Sequence, residues 1–238
     1  MDHFESWKDL LNPEFYIKMG GFWLVLFIIF AETGLFVGFF LPGDSLLFVS
    51  GIYAKEIIAE TFGSFGGDFI DTTILASCIA LAAIIGNEVG YFFGVKAGPA
   101  LYKKEDTFLF KKKYLFQAHD FFEEHGSLAV VMARFLPVVR TFVPIVAGIV
   151  GMEKKRFFRD NIVGAVLWAF LLVYAGHYLD KVFREQLDID LKAHLEYIII
   201  VIVLITTLPV IYKFFFGKKS EPKNYNDRNP EDYIDSLK

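Results

Sequence analysis

The sequence predicts an all-α polytopic membrane protein: two opposed re-entrant, broken-helix hairpins forming an inverted repeat, plus about three to four membrane-spanning helices. Three observations predict it. Apolar runs at 20–41, 72–95, 161–179 and 197–216 each approach the ~20 residues that cross a hydrocarbon core as a helix. Two apolar stretches are broken by proline, glycine and charge, and the two breaks resemble each other. The basic residues gather in particular connecting segments, as they do in cytoplasmic loops.

Composition supports the class. Of 238 residues, 55% are hydrophobic and 28 are Phe, with a mean hydropathy of +0.44. The runs are continuously apolar and do not alternate, which argues against a β-barrel. The first 18 residues are acidic and aromatic (Asp2, Glu5, Asp9, Glu14) and lack the basic start and apolar core of a removable signal peptide. Cys78, the single cysteine, lies in an apolar run and reads as a small packing residue. A net charge of -4 does not suggest nucleic-acid binding. Walker loops, Cys/His metal spacings and a Gly-x-Ser-x-Gly elbow are absent from the sequence, so neither metal nor cofactor is expected and ATP-driven transport by this chain alone is disfavoured.

The elements follow in order. Residues 1–19, with Trp7, Phe15 and Tyr16 among charges, read as an interfacial N-terminal segment. The membrane domain then covers 20–216. Its first hairpin spans about 22–54 and breaks at Pro42-Gly43. Residues 55–71 read as a Gly-rich polar loop, and 72–95 as a spanning helix. Residues 96–126 alternate lysine with Phe, Tyr and Leu, as a segment on the membrane surface does. There Lys111, Lys112 and Lys113 read either as contacts to anionic headgroups or as a solvated face. The second hairpin spans about 127–151 and contains Pro137 and Pro144. Residues 161–179 and 195–216 read as two more spanning helices, and 217–238 as a polar cytoplasmic tail.

Topology follows from charge. Segment 96–126 holds six Lys, and Lys154, Lys155, Arg156 and Arg159 follow residue 151, so both flanks of 127–151 belong on the cytoplasmic side. That makes the segment re-entrant; a single kinked spanning helix is the alternative. Residues 55–71 have only Lys55 and read as external. The side of the N-terminus stays open.

The two broken elements are "FLPGDSLLFVSGIYA" at 40–54 and "FLPVVRTFVPIVAGIVG" at 135–151. Both begin Phe-Leu-Pro, both then place a charge (Asp44, Arg140), and both reach a small-Gly pair (Ser50-Gly51, Ala147-Gly148). Paired Pro/Gly-broken segments in two halves point to a transporter built on inverted repeats. Each also has a charge upstream, Glu32 and Arg134. An ionisable residue at mid-membrane costs ~2.5–3.5 kcal/mol, so the four alone would cost about 10 kcal/mol. Two acids and two bases offset one another if the hairpin tips meet. That leaves two readings. One is a salt-bridge clamp. The other is a charged cavity in which Arg134 and Arg140 bind an anionic headgroup and Glu32 and Asp44 carry protons. Gly86, Gly90, Gly94 and Gly98 recur every four residues and read as a helix-packing groove. Glu88 is an extra candidate proton site, or an interfacial residue. His177 reads as an interfacial histidine.

These residues together resemble the DedA family, also called the SNARE-associated or VTT-domain family. The match is carried by Glu32, by Pro42-Gly43-Asp44, and by Gly86-x-x-x-Gly90-Tyr91-x-x-Gly94. It continues in Arg134-Phe135-x-Pro137-x-x-Arg140-Thr141-x-x-Pro144-x-x-Ala147-Gly148, and Asn161, Gly164 and Trp168 also fall at family positions. It runs from about residue 24 to 180. The resemblance implies two facing re-entrant hairpins in the bacterial inner membrane and a role in lipid translocation. Glu32, Asp44, Arg134 and Arg140 then match the family's essential acids and arginines. Departures are Asn87, where an acid is common, Lys96 near a common Arg, and Asp180 where a small residue is frequent; they bear on substrate choice.

The expected function is therefore a lipid transporter, not an enzyme. It would flip a polyprenyl-phosphate carrier such as undecaprenyl phosphate across the bacterial inner membrane, with proton-motive-force dependence. A phosphatidylethanolamine-type phospholipid flippase or scramblase is the alternative, and an integral-membrane lipid phosphatase or a purely structural membrane protein are further alternatives. The expected partners are membrane lipids and protons, and homo-oligomerisation is left open.

Overall fold

The computed structural model describes residues 13–35, 43–103, 105 and 112–187, and these form seven α-helices. Among the described residues there is no strand. The expected helix at 195–216, the tail at 217–238, residues 1–12, Pro42 and Lys111 lie outside them.

The first half opens with α1 (Pro13–Gly34), two helical pieces joined at Gly21, whose φ of 52° and ψ of -138° lie in the left-handed region. Only glycine takes that conformation without a Cβ penalty. The joint separates the end of the expected interfacial segment from the apolar arm. Then come α2 (Gly43–Ile52) and α3 (Ala54–Phe62), followed by the long α4 (Asp68–Lys103).

The second half repeats this plan. α5 (Lys112–Ala133) is broken at Gly126 with φ 52° and ψ -131°, nearly the dihedrals of Gly21. A short turn follows, with backbone bonds from Arg134, Phe135 and Leu136 N–H to the carbonyls three residues back. α6 (Pro137–Ile149) then starts on a proline, which needs no N–H in a first turn. Leu136 is extended (φ -110°, ψ 104°), as the residue before a proline is steered to be. α7 (Lys154–Leu187) completes the half.

Packing interleaves the halves. α4 lies against α1 and α6, α7 lies against α2 and α5, and α4 and α7 touch each other. Each first arm thus sits on the long helix of its own half, and each second arm on the long helix of the other. Apart from α3, which packs on α4 and α1 and has no counterpart in the second half, exchanging the halves leaves these pairings unchanged. The small-Gly pairs do equivalent work. A Cβ at Gly148 would overlap the Tyr91 carbonyl of α4, and a Cβ at Gly51 would overlap the Val173 carbonyl of α7. Gly86 meets the Phe30 carbonyl and Gly34 of α1; Gly90 and Gly94 meet Pro144 and Ile145 of α6. The glycine groove is therefore split between α1 and α6. Gly98 is buried on the same helix.

Two described helices, Asp68–Lys103 and Lys154–Phe183, are long and apolar enough to cross a membrane. Their outer faces carry exposed Leu81, Ile85, Phe92 and Phe93 on α4 and Val163, Leu167 and Leu171 on α7. The broken units are shorter: 10 residues in α2 and 13 in α6 give rises of about 15 and 20 Å against a hydrocarbon core of about 30 Å.

Three segments differ from the sequence reading. Residues 55–62 of the expected loop belong to the helix α3, whose buried Ala54, Ile57 and Ile58 give it an apolar face. The loop proper is 63–67, tied by Asp71 accepting from Ser64 Oγ (2.9 Å) and Phe65 N–H (3.0 Å). α4 continues eight residues past 95, through Pro99. α7 runs past 179 to Leu187. In α4 and α7 helix geometry propagates beyond the apolar window, because one hydrogen bond per added residue keeps helix growth favourable.

Candidate functional site

The charged residues converge where the two broken units meet. Glu32 lies in the last turn of α1, and Asp44 is the second residue of α2. The α2 N-terminus favours a carboxylate there, because its free N–H groups and dipole are positive. Gly43 packs directly on the Glu32 carboxylate, and a Cβ at that position would overlap it. From the other half, Arg134 sits in the α5–α6 turn and Arg140 in the first turn of α6. Pro144 has no N–H to offer the Arg140 carbonyl, so this turn of α6 lacks one internal bond.

Arg140 joins the halves. Its Nη2 pairs with Glu32 and its Nη1 with Asp44. All three side chains are buried or nearly so. From α7, Trp168 donates Nε1–H to Asp44 Oδ1 at 2.8 Å. The Trp168 ring also lies under both guanidinium groups, 4.8 Å from Arg140 and 5.3 Å from Arg134. That is within the range of a cation–π contact.

Arg134 is held differently. It has no carboxylate partner among the described residues. Its Nη1 donates to Asn161 Oδ1 at 3.0 Å, while Nε and Nη2 are buried with no hydrogen-bond partner among the described residues. Asn161 is fixed in turn by Nδ2 to the Ile84 carbonyl at 3.1 Å and lies 3.4 Å from Glu88 Oε1. The Asn87 amide touches Asn161 at 2.8 Å. Turned with its nitrogen to the Thr33 carbonyl (3.0 Å), its oxygen faces the Arg134 guanidinium. A cavity of about 10 Å³, roughly one water's room, lies among Thr33, Asn87, Ala133, Arg134, Arg140 and Pro144.

Glu32, Asp44, Arg134 and Arg140 thus form one cluster of two acids and two bases. Glu88 touches its edge through Asn161. Gly43, Pro137 and Pro144 lie at or beside the breaks. His177 instead lines a separate charged cleft with Lys55, Asp68 and Lys181. The sequence alone marks Asn87 only as a departure and assigns Asn161 and Trp168 no role. The available signal was their type: an amide inside an apolar helix is costly unless hydrogen-bonded. No group of residues able to hold a metal ion occurs among the described residues.

Comparison with known proteins identifies the family. The VTT domain model matches residues 41–178. An uncharacterized membrane protein of Mycobacterium tuberculosis is 37% identical over 229 residues, covering 92% of this chain and 93% of that one. Protein DedA of Escherichia coli is 36% identical, covering 84% of this chain and 86% of its own length. The Escherichia coli inner membrane protein YqjA is 31% identical, covering 90% and 94%. No solved structure matches the chain. With a domain match over more than half its length and relatives aligned across most of it, the chain belongs to the VTT-domain, or DedA, family of membrane proteins.

Proposed function

We propose that the chain is a flippase that moves a polyprenyl-phosphate carrier, such as undecaprenyl phosphate, across the bacterial inner membrane at the expense of the proton gradient. The observation that carries the reading is Arg134: a buried guanidinium with two donor groups unpartnered among the described residues, beside a small cavity at the junction of the two halves. Leaving such donors unmatched costs about 1–3 kcal/mol each, and a phosphate oxygen would satisfy them. The arm lengths support re-entrant hairpins, since neither α2 nor α6 reaches across a bilayer alone. Lys103, Lys112 and the basic start of α7 support a cytoplasmic placement of both ends of the second hairpin, and the tail would be cytoplasmic too. The exposed apolar faces of α4 and α7 suit a lipid tail that stays in the bilayer while its headgroup moves. Glu32 and Asp44 are the proton carriers in this reading. The reading has no catalytic step.

One observation favours a second reading. The cluster holds as many acids as arginines, so it also suits a zwitterionic headgroup with its phosphate on arginine and its amine on carboxylate.

A headgroup competition separates the two. Purified protein is placed in liposomes, and flipping of a labelled polyprenyl phosphate is followed with increasing phosphatidylethanolamine. Flipping insensitive to phosphatidylethanolamine supports the polyprenyl-phosphate reading. Strong competition, with flipping of phosphatidylethanolamine itself, moves the assignment to phospholipid.

A further inference from the structure

The two arginines are not equivalent, and their inequality suggests an order of events. Arg140 is occupied: both terminal nitrogens are paired, one to Glu32 and one to Asp44. Among the described residues Arg134 is held only by neutral amides and a ring face. The cavity beside them has room for about one water, too little for a phosphate group. A headgroup that engaged both arginines would have to displace a carboxylate.

We propose that the Glu32 and Asp44 carboxylates and the phosphate headgroup are alternative occupants of Arg140. Arg134 receives the phosphate first, and proton uptake by the acids then releases Arg140 to complete the grip. This inference rests on the lipid-phosphate reading above and adds its regulation. Charge balance explains the coupling. The resting cluster is neutral, with two carboxylates and two guanidinium groups. A phosphate dianion adds two negative charges to a buried site, where uncompensated charge is costly. Two protons taken up by Glu32 and Asp44 restore neutrality, and loss of those protons re-forms the Arg140 pairs and ejects the phosphate. Each proton leaves solvent and binds a carboxylate oxygen; no other bond changes.

The groups facing the acids fit this role. α1 contributes Glu32, α2 Asp44, the α5–α6 turn Arg134 and α6 Arg140; α4 contributes Glu88, one amide removed through Asn161. α7 offers no ionisable group here among the described residues, but positions the others: Trp168 holds Asp44 and Asn161 holds Arg134. Because Asp44 is anchored by Trp168, it has a neutral partner to remain with after Arg140 leaves.

The test is binding of a short-chain polyprenyl monophosphate to the full-length protein in nanodiscs, with the matching free alcohol as control. Glu32→Gln and Asp44→Asn remove the competing charge, and each is expected to bind the phosphate at least about tenfold tighter than wild type, by the release of a withheld binding-competent state. Arg134→Ala is expected to lose phosphate-dependent binding. A second measurement needs no variant. At pH 8 a phosphate monoester, with its second pKa near about 6, is already deprotonated, so binding to the wild type is expected to take up protons from a weakly buffered solution. Unchanged or weaker binding by both acid variants, or binding without proton uptake, overturns the handover while leaving the phosphate reading standing. Equal binding of the alcohol and the phosphate overturns both.

Discussion

Arg134 and Arg140 share one Trp168 ring and one buried site, yet only Arg140 is neutralised by carboxylates. That difference sets the residue-scale expectations. Arg140→Lys keeps the charge but loses the planar fork that spans Glu32 and Asp44 together. It is expected to lower lipid flipping at least about tenfold, while the protein stays folded by thermal unfolding in detergent. Wild-type flipping in that variant would remove the fork from the account. Asn161→Ala takes away the hydrogen bond accepted from Arg134 Nη1 and a contact to Asn87. A stability loss of about 1–3 kcal/mol is expected, measured as a lowered midpoint of thermal unfolding. At this scale the sequence was informative about charge and silent about partnership. Glu32, Asp44, Arg134 and Arg140 stand out because ionisable residues in apolar runs are costly. Which acid meets which arginine depends on how two distant turns come together, and spacing along one chain does not contain that. Asn87 and Trp168 were harder still, since one looks like a substitution and the other like an ordinary membrane aromatic until their neighbours are known.

The elements carry a repeat that the residues only hint at. The Phe-Leu-Pro starts and small-Gly pairs of the two broken segments were legible in sequence, and Gly51 and Gly148 make equivalent close approaches to α7 and α4. The matching joints at Gly21 and Gly126 were not legible, because a lone glycine in an apolar or polar stretch has many uses. Their left-handed φ makes a prediction. Gly21→Ala has open space around it, so its effect is expected to be the backbone penalty alone, about 1–3 kcal/mol. Gly126→Ala is expected to cost about as much, since its Cβ would meet only the far end of the flexible Arg156 side chain, which can move aside. Thermal unfolding of the two variants side by side checks that the losses match. Helix ends were the poorest part of the sequence reading. α3, the end of α4 and the end of α7 lie outside the strongly apolar windows, and helical bonding carries on past the point where hydropathy falls.

At the scale of the whole molecule, two halves grip each other through their second arms and meet at one charged point. If the chain is the proposed flippase, a headgroup cannot enter a cavity of about 10 Å³, and passage would require the halves to part. Gly90 on α4 and Pro144 on α6 are close enough to test this, with a Cβ at Gly90 falling 3.3 Å from the Pro144 Cβ. That separation is near the range spanned by disulfides. In a protein with Cys78 replaced by serine, oxidised Gly90→Cys/Pro144→Cys is expected to stop flipping and reduction to restore it. Continued flipping when oxidised would mean that α4 and α6 need not separate.

Flipping of labelled undecaprenyl phosphate can be followed in liposomes holding purified protein, with and without an imposed proton gradient, beside Arg134→Ala. Flipping that the gradient stimulates and that Arg134→Ala abolishes is expected. Flipping that ignores the gradient and survives loss of Arg134 would contradict the proposed function, leaving the four charges as a clamp between the two halves.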